Sequence, residues 1–142
     1  MFKIKLNTPI KDIRGNQLIA SDQDPEGKIT RVKVDLRYDL LKVLGARYDD
    51  TVLPQPREYT WIYNLSTVFN GKENEVEVSE EKIEFLRRLV RNNASVFPIQ
   101  TAQGEVKKEK VDILLPFEKG QIMILLGDPD ATRDEEPEDK KK

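Results

Sequence analysis

The chain has 142 residues, a natural size for one domain with a real core and too short for two independent ones. It contains no histidine and no cysteine, so the usual imidazole base, the thiolate nucleophile, the commonest transition-metal ligands and any disulfide framework are excluded. With 24 Lys+Arg against 26 Asp+Glu, the formal net charge of -2 supplies no overall positive field for a nucleic-acid backbone, and such binding would need a local patch.

The opening residues 2–6 alternate Phe2, Ile4 and Leu6 with Lys3 and Lys5, the period-two pattern of a strand with one buried face. This alternation lacks the continuous apolar run of a secretory signal, and no stretch reaches the length of a membrane span. Residues 10–20 carry Ile10, Ile13, Leu18 and Ile19 around Arg14-Gly15-Asn16, which predicts a small hairpin. Residues 21–27 combine turn formers and acids and are expected to be an exposed loop. Residues 29–36 alternate again, with Val32, Val34 and Leu36 on one side, and predict a further strand.

From Tyr38 the period changes: Leu40, Leu41, Val43 and Leu44 predict a short helix that stops at Gly45. Asp49, Asp50, Pro54 and Pro56 mark a linker, after which residues 57–70 place Tyr59, Ile62, Leu65 and Phe69 at helical spacing. Ser79 is a favourable helix N-cap, and Glu80 and Glu81 put negative charge at the positive end of the helix dipole. That helix is expected to bury Ile83, Phe85, Leu86, Leu89 and Val90 and to end near Asn92-Asn93. Residues 101–110 are polar around Gly104, residues 111–116 read as a strand ending at Pro116, and the apolar run 121–126 fits a helix from Phe117. From Asp128 onward, Ala131 is the lone apolar residue, which predicts a disordered charged tail over 128–142 whose deletion leaves stability nearly unchanged. The fold class expected is α+β: residues 1–127 form one domain in which a small N-terminal antiparallel sheet packs on two or three helices.

Two basic groups are candidate nucleic-acid contacts. Arg87, Arg88 and Arg91, with Lys82, lie opposite the apolar stripe of the Ser79 helix, although Glu80, Glu81 and Glu84 dilute their field. Lys107, Lys108 and Lys110 surround Glu109, and lysines so placed also serve to keep a strand edge soluble. Tyr59, Trp61 and Tyr63 could stack on bases, but aromatic residues at helical spacing belong more often to a core. Asp128 with Asp130, or Asp112 with Glu105, are the nearest approach to magnesium ligands for phosphodiester chemistry, and both lack an evident rigid frame. Asp22-Gln23-Asp24-Pro25-Glu26-Gly27 fails as a calcium loop because proline stands fourth and Lys33 occupies the twelfth place. No catalytic residue, cofactor site or metal site is therefore assigned.

Two segments together carry a resemblance. Ile4-Lys5-Leu6-Asn7-Thr8-Pro9-Ile10-Lys11-Asp12-Ile13-Arg14-Gly15-Asn16 resembles the start of small accessory proteins of tailed bacteriophages and prophages, with an apolar strand, a Thr-Pro and an Asp-x-x-Gly turn. Val76-Glu77-Val78-Ser79-Glu80-Glu81-Lys82-Ile83 is similar to their later Val-Glu-Leu-Ser-x-Glu-x-Ile helix start. The likeness covers about a fifth of the chain; the middle departs from the family pattern at Leu36-Arg37-Tyr38-Asp39, and residues 101–116 are unmatched. The opening strand and proline also resemble those of phage tail-assembly proteins. Most members of the accessory family have no assigned role, so no functional residue carries over. The resemblance implies a non-enzymatic accessory or assembly protein acting through contacts with a viral or host protein or with itself, in the host cytoplasm or on the virion. The rival expectation is a nucleic-acid-binding regulator using the arginine and lysine groups.

Overall fold

A computed structural model describes residues 1–46 and 54–132 and shows an α+β protein. Strand β1 (Phe2–Lys5) pairs antiparallel with β4 (Glu75–Val78), placing Ile4 opposite Val76 and Phe2 opposite Val78. Ile4, Val76 and Val78 face inward from this ribbon, as the alternation of the first residues requires. The expected N-terminal sheet is thus divided: the partner of β1 comes from the middle of the chain, while β2 (Ile19–Gln23) and β3 (Ile29–Lys33) pair only with each other.

A short ladder ties the two ribbons to one body. The Ile10 amide donates to Val34, Leu18 to Ile10 and Val34 to Leu18, at 2.7–3.0 Å. Ile10 and Val34 are buried there and Leu18 is packed against the core. The tight turn read at Arg14-Gly15-Asn16 is present, with Gly15 at φ 87 and Asp12 Oδ1 accepting from the Arg14 and Asn16 amides. The loop expected over 21–27 is shorter than the sequence suggested. Ser21 to Gln23 belong to β2, and the turn proper is Asp24 to Gly27, where Asp24 Oδ1 accepts from Glu26 and Lys28.

Helix α1 (Leu36–Leu44) begins two residues before Tyr38, because Asp35 caps it by accepting from the Tyr38 amide at 2.8 Å. Its stop at Gly45 is as read. The linker acids Asp49 and Asp50 lie outside the described residues. Helix α2 (Pro56–Phe69) opens with proline in its first turn and buries Leu65 and Phe69. Helix α3 (Glu80–Asn92) starts where Ser79 Oγ accepts from the Lys82 amide, and its buried face is the one the sequence indicates. Trp61 of α2 meets Phe85 of α3 edge-on at 5.7 Å between ring centres.

The largest departure from expectation follows α3. Strands β5 (Ala94–Gln100) and β6 (Val106–Asp112) form an antiparallel ribbon around the stretch 101–110 that reads as polar, and the strand expected over 111–116 instead begins at Val106 and ends at Asp112. Asn93, at φ 37, ends α3 and grips the base of that ribbon. Its side-chain amide donates to the Leu114 carbonyl at 3.0 Å and accepts from the Leu114 amide at 2.7 Å, so the outgoing and returning strands are fixed together. Helix α4 (Pro116–Leu125) then returns to the core through Ile122, with Leu126 buried just beyond it. Gly127 adopts φ 67 where a Cβ would lie 3.1 Å from the Phe2 ring, so only glycine fits this crossing. A last turn, α5 (Pro129–Thr132), follows.

Candidate functional site

The three candidate arginines stand on two neighbouring turns of α3, and each is engaged within the fold. Arg87 donates through Nε to the Leu126 carbonyl at 2.9 Å, pairs with Glu84 and lies over the Phe2 ring. Arg88 binds Glu58 of α2 at 2.7 Å and covers Phe85. Arg91 holds Asp128 through two hydrogen bonds of 2.8 and 3.0 Å and reaches Glu84 at 3.1 Å. The arginines therefore clamp α3 to α2 and to the end of α4, with their charge met by carboxylates.

Asp128 corrects the reading of the C-terminal segment. Its side chain is fully buried, so the folded unit extends at least to this residue and a featureless tail does not begin there. The Arg91 hydrogen bonds hold its carboxyl below the usual carboxylate range against the opposing effect of burial. The same pair keeps Arg91 firmly charged. At Glu58 burial works to raise the carboxyl, but Arg88 and the Gln55 amide outweigh it and hold it low.

A groove of about 430 Å³ lies between α2 and α3, lined by Arg57, Trp61 and Phe85 with Glu80, Glu81 and Glu84. Arg57 lies over Trp61, and acids and bases alternate around the groove, so it offers no basic track. The aromatic residues of α2 separate here. Trp61 is half-buried, but Tyr59 and Tyr63 are exposed, which corrects their placement in the core: the inward face of α2 runs through Glu58, Leu65 and Phe69 instead.

Lys107, Lys108 and Lys110 are exposed on β6, an element apart from the arginines of α3. Antiparallel register places directly opposed residues on the same face. One face then carries Phe97 opposite Glu109, Ile99 opposite Lys107 and Ser95 opposite Val111. The other carries Ala94 opposite Asp112, Val96 opposite Lys110, Pro98 opposite Lys108 and, at the tip, Gln100 opposite the exposed Val106. The lysine cluster of the sequence is thus split between two faces. The first face is apolar in its middle, with Phe97 45%, Ile99 39% and Val111 47% exposed. At its base Phe97 and Val111 line a pocket of about 250 Å³ together with Lys42, Gly45 and Ala46 at the end of α1.

The acidic pairs do not assemble a metal site, and among the described residues no three potential ligands are gathered. Asp128 is bound by Arg91. Asp112 ends β6 at the ribbon base while Glu105 precedes its first residue. A seven-residue strand separates them by roughly 20 Å, too far to share an ion.

A second buried acid pair was not foreseen. Asp39 on α1 and Glu118 on α4 are 0% and 5% exposed. Burial pushes the Asp39 carboxyl up from 3.8 to about 8, reinforced by the neighbouring Glu118 carboxyl. Neither residue breaks its local pattern conspicuously, since each falls in the first turn of a helix, where acids are common. Among the described residues no helix is long and apolar enough to cross a membrane. Compared with family models, curated proteins and solved structures, the chain matches none, so its function must be argued from the ribbon and helices themselves.

Proposed function

We propose that this protein is a non-enzymatic accessory or assembly factor that works by binding another protein, in the manner of the phage proteins its opening resembles, and that the β5–β6 ribbon is its contact arm. The carrying observation is the apolar face of Phe97, Ile99 and Val111 on a ribbon whose strands are otherwise almost wholly exposed. A lone two-stranded ribbon is marginal in water, and covering one face with a partner stabilises it. The edges are poor templates for strand addition, because Pro98 lacks an amide hydrogen on β5 and lysines crowd β6. Contact is therefore made through the face. Glu109 stands opposite Phe97 and Lys107 opposite Ile99, so the exposed apolar side chains lie beside charges of both signs, as in a protein interface of mixed polarity. A nucleic-acid backbone would instead select uniform positive charge.

The test is recovery of bound proteins from the native cell extract on the full chain and on a Phe97→Ser/Val111→Ser variant. The expected result is a defined protein, retained after nuclease treatment, that the variant no longer holds. Equal retention by both chains would refute the contact arm. Retention that nuclease abolishes and that Lys108→Ala/Lys110→Ala weakens would replace it with the nucleic-acid reading.

A further inference from the structure

Asp39 and Glu118 are both buried and interact electrostatically. Asp39 lies in the first turn of α1 and Glu118 in the first turn of α4. Glu118 Oε1 accepts from the Leu115 amide at 3.3 Å. Among the described residues, Asp39 Oδ1, Asp39 Oδ2 and Glu118 Oε2 have no hydrogen-bond donor. Neighbouring groups do not supply one. The Tyr38 hydroxyl donates to Asp22 of β2 at 2.8 Å, Asp35 caps α1, and Lys42 lies over the Tyr38 ring. Beside Glu118, Lys11 and Asp12 line a small pocket of about 240 Å³ with Ile13, Leu18, Leu115 and Phe117. Asp12 is already committed to its own turn.

Two naked carboxylates at such a site would repel each other and forfeit their hydration, whereas one proton held between them supplies the missing donor and leaves a single charge facing two helix dipoles. We propose that Asp39 and Glu118 form a proton-sharing latch between α4 and α1, and that loss of this proton loosens α4 from its N-terminal turn. Among the described residues the other side-chain hydrogen bonds along α4 between elements are two exchanged by Gln121 with the Lys11 main chain and one from Lys119 to the Arg91 carbonyl, while buried Ile122 and, just beyond the helix, Leu126 and Asp128 anchor its C-terminal end. Gly120, in the middle of the helix, lowers its intrinsic stability further.

The sign follows from linkage. The native chain keeps a proton on Asp39 that the unfolded chain loses near 3.8, so the contribution of the latch is complete below that value, falls as pH rises and is gone above about 8. Lys42 acts against this direction and Asp35 with it, and neither reverses it.

Hydrogen exchange of the full chain at pH 6 and pH 9, corrected for the intrinsic dependence of exchange on hydroxide, tests the latch. The expected result is at least a tenfold rise in opening of α4 at pH 9 with α3 unchanged, and no such rise in Asp39→Asn, whose amide can donate to Glu118 at either pH. Unchanged protection of α4, equal loss in α3 and α4, or an alkaline loss that persists in Asp39→Asn would each overturn the proposal. Should Asp39→Asn fail to fold, the comparison of α4 with α3 in the wild-type chain decides alone.

Discussion

Helix α3 carries three arginines and the β5–β6 ribbon three lysines, and the fold uses the two groups in opposite ways. The arginines of α3 reach Glu58, Glu84, Asp128 and a main-chain carbonyl, where planar guanidinium groups add polar ties from α3 to α2 and to the end of α4. The lysines of β6 point outward around an apolar face. Charge in the sequence therefore marks two different things: the internal fastening of α2, α3 and α4, and the solvated surface of the ribbon proposed as the contact arm. Substitutions on α3 should cost stability, while substitutions on the ribbon should cost binding.

The largest effect is expected at Arg91. Arg91→Ala strands a fully buried Asp128, and the loss should be roughly 3 kcal/mol in urea unfolding, discounted from the range for deeply buried pairs because Arg91 is one-third exposed. A loss below about 1 kcal/mol would place Arg91 with ordinary surface residues and remove the contrast with the ribbon. Truncation after Gly127 removes the other half of the same pair, and about 2 kcal/mol should be lost. That outcome is opposite to the one expected from the sequence.

Acid should weaken the α3 side selectively. Asp128 and Glu58 are held below their ordinary values in the native chain, so the unfolded chain takes up protons first as pH falls. Their stabilisation is present above the unfolded values near 4 and is lost as pH drops through the native ones. The stability gap between wild type and Arg91→Ala should accordingly narrow from pH 6 to pH 3; a constant gap would mean that Asp128 does not titrate with folding.

Much of the framework was legible because local chemistry and burial agreed. Ser79 as cap, Pro56 at a helix start, the stripe from Ile83 to Val90 and the Gly15 turn were all read correctly, since each is decided within a few residues. What failed was long-range or two-faced. The pairing of β1 with β4 joins residues some seventy positions apart, and alternation says only that a strand has a buried face, not what lies beside it. The β5–β6 ribbon was missed because neither strand is half-buried, so Val106, Lys107, Lys108 and Glu109 show no period. Asp128 looked like tail because its partner lies thirty-seven residues away on α3. For the same reason the arginines were recognised as a group while their targets were not.

On the ribbon the expected effects on stability are smaller. Phe97→Ser with Val111→Ser should shift unfolding by about 1 kcal/mol or less, since both side chains remain nearly half exposed, while partner binding is lost. A large loss of stability would show that this face packs on the body and is not available for contact. Smaller still, Lys108→Ala with Lys110→Ala should lie within about 0.5 kcal/mol of wild type in the same unfolding measurement.

Site-specific photo-cross-linking in the native cell tests the contact arm most directly. A photoreactive residue is placed at Ile99 on the apolar ribbon face, at Lys108 on the opposite face, or at the exposed Tyr63 of α2. A discrete protein adduct formed from position 99, and not from 108 or 63, is the result expected. The same adducts from all three positions, or none from 99, would contradict the assignment of this face as the surface through which the protein acts.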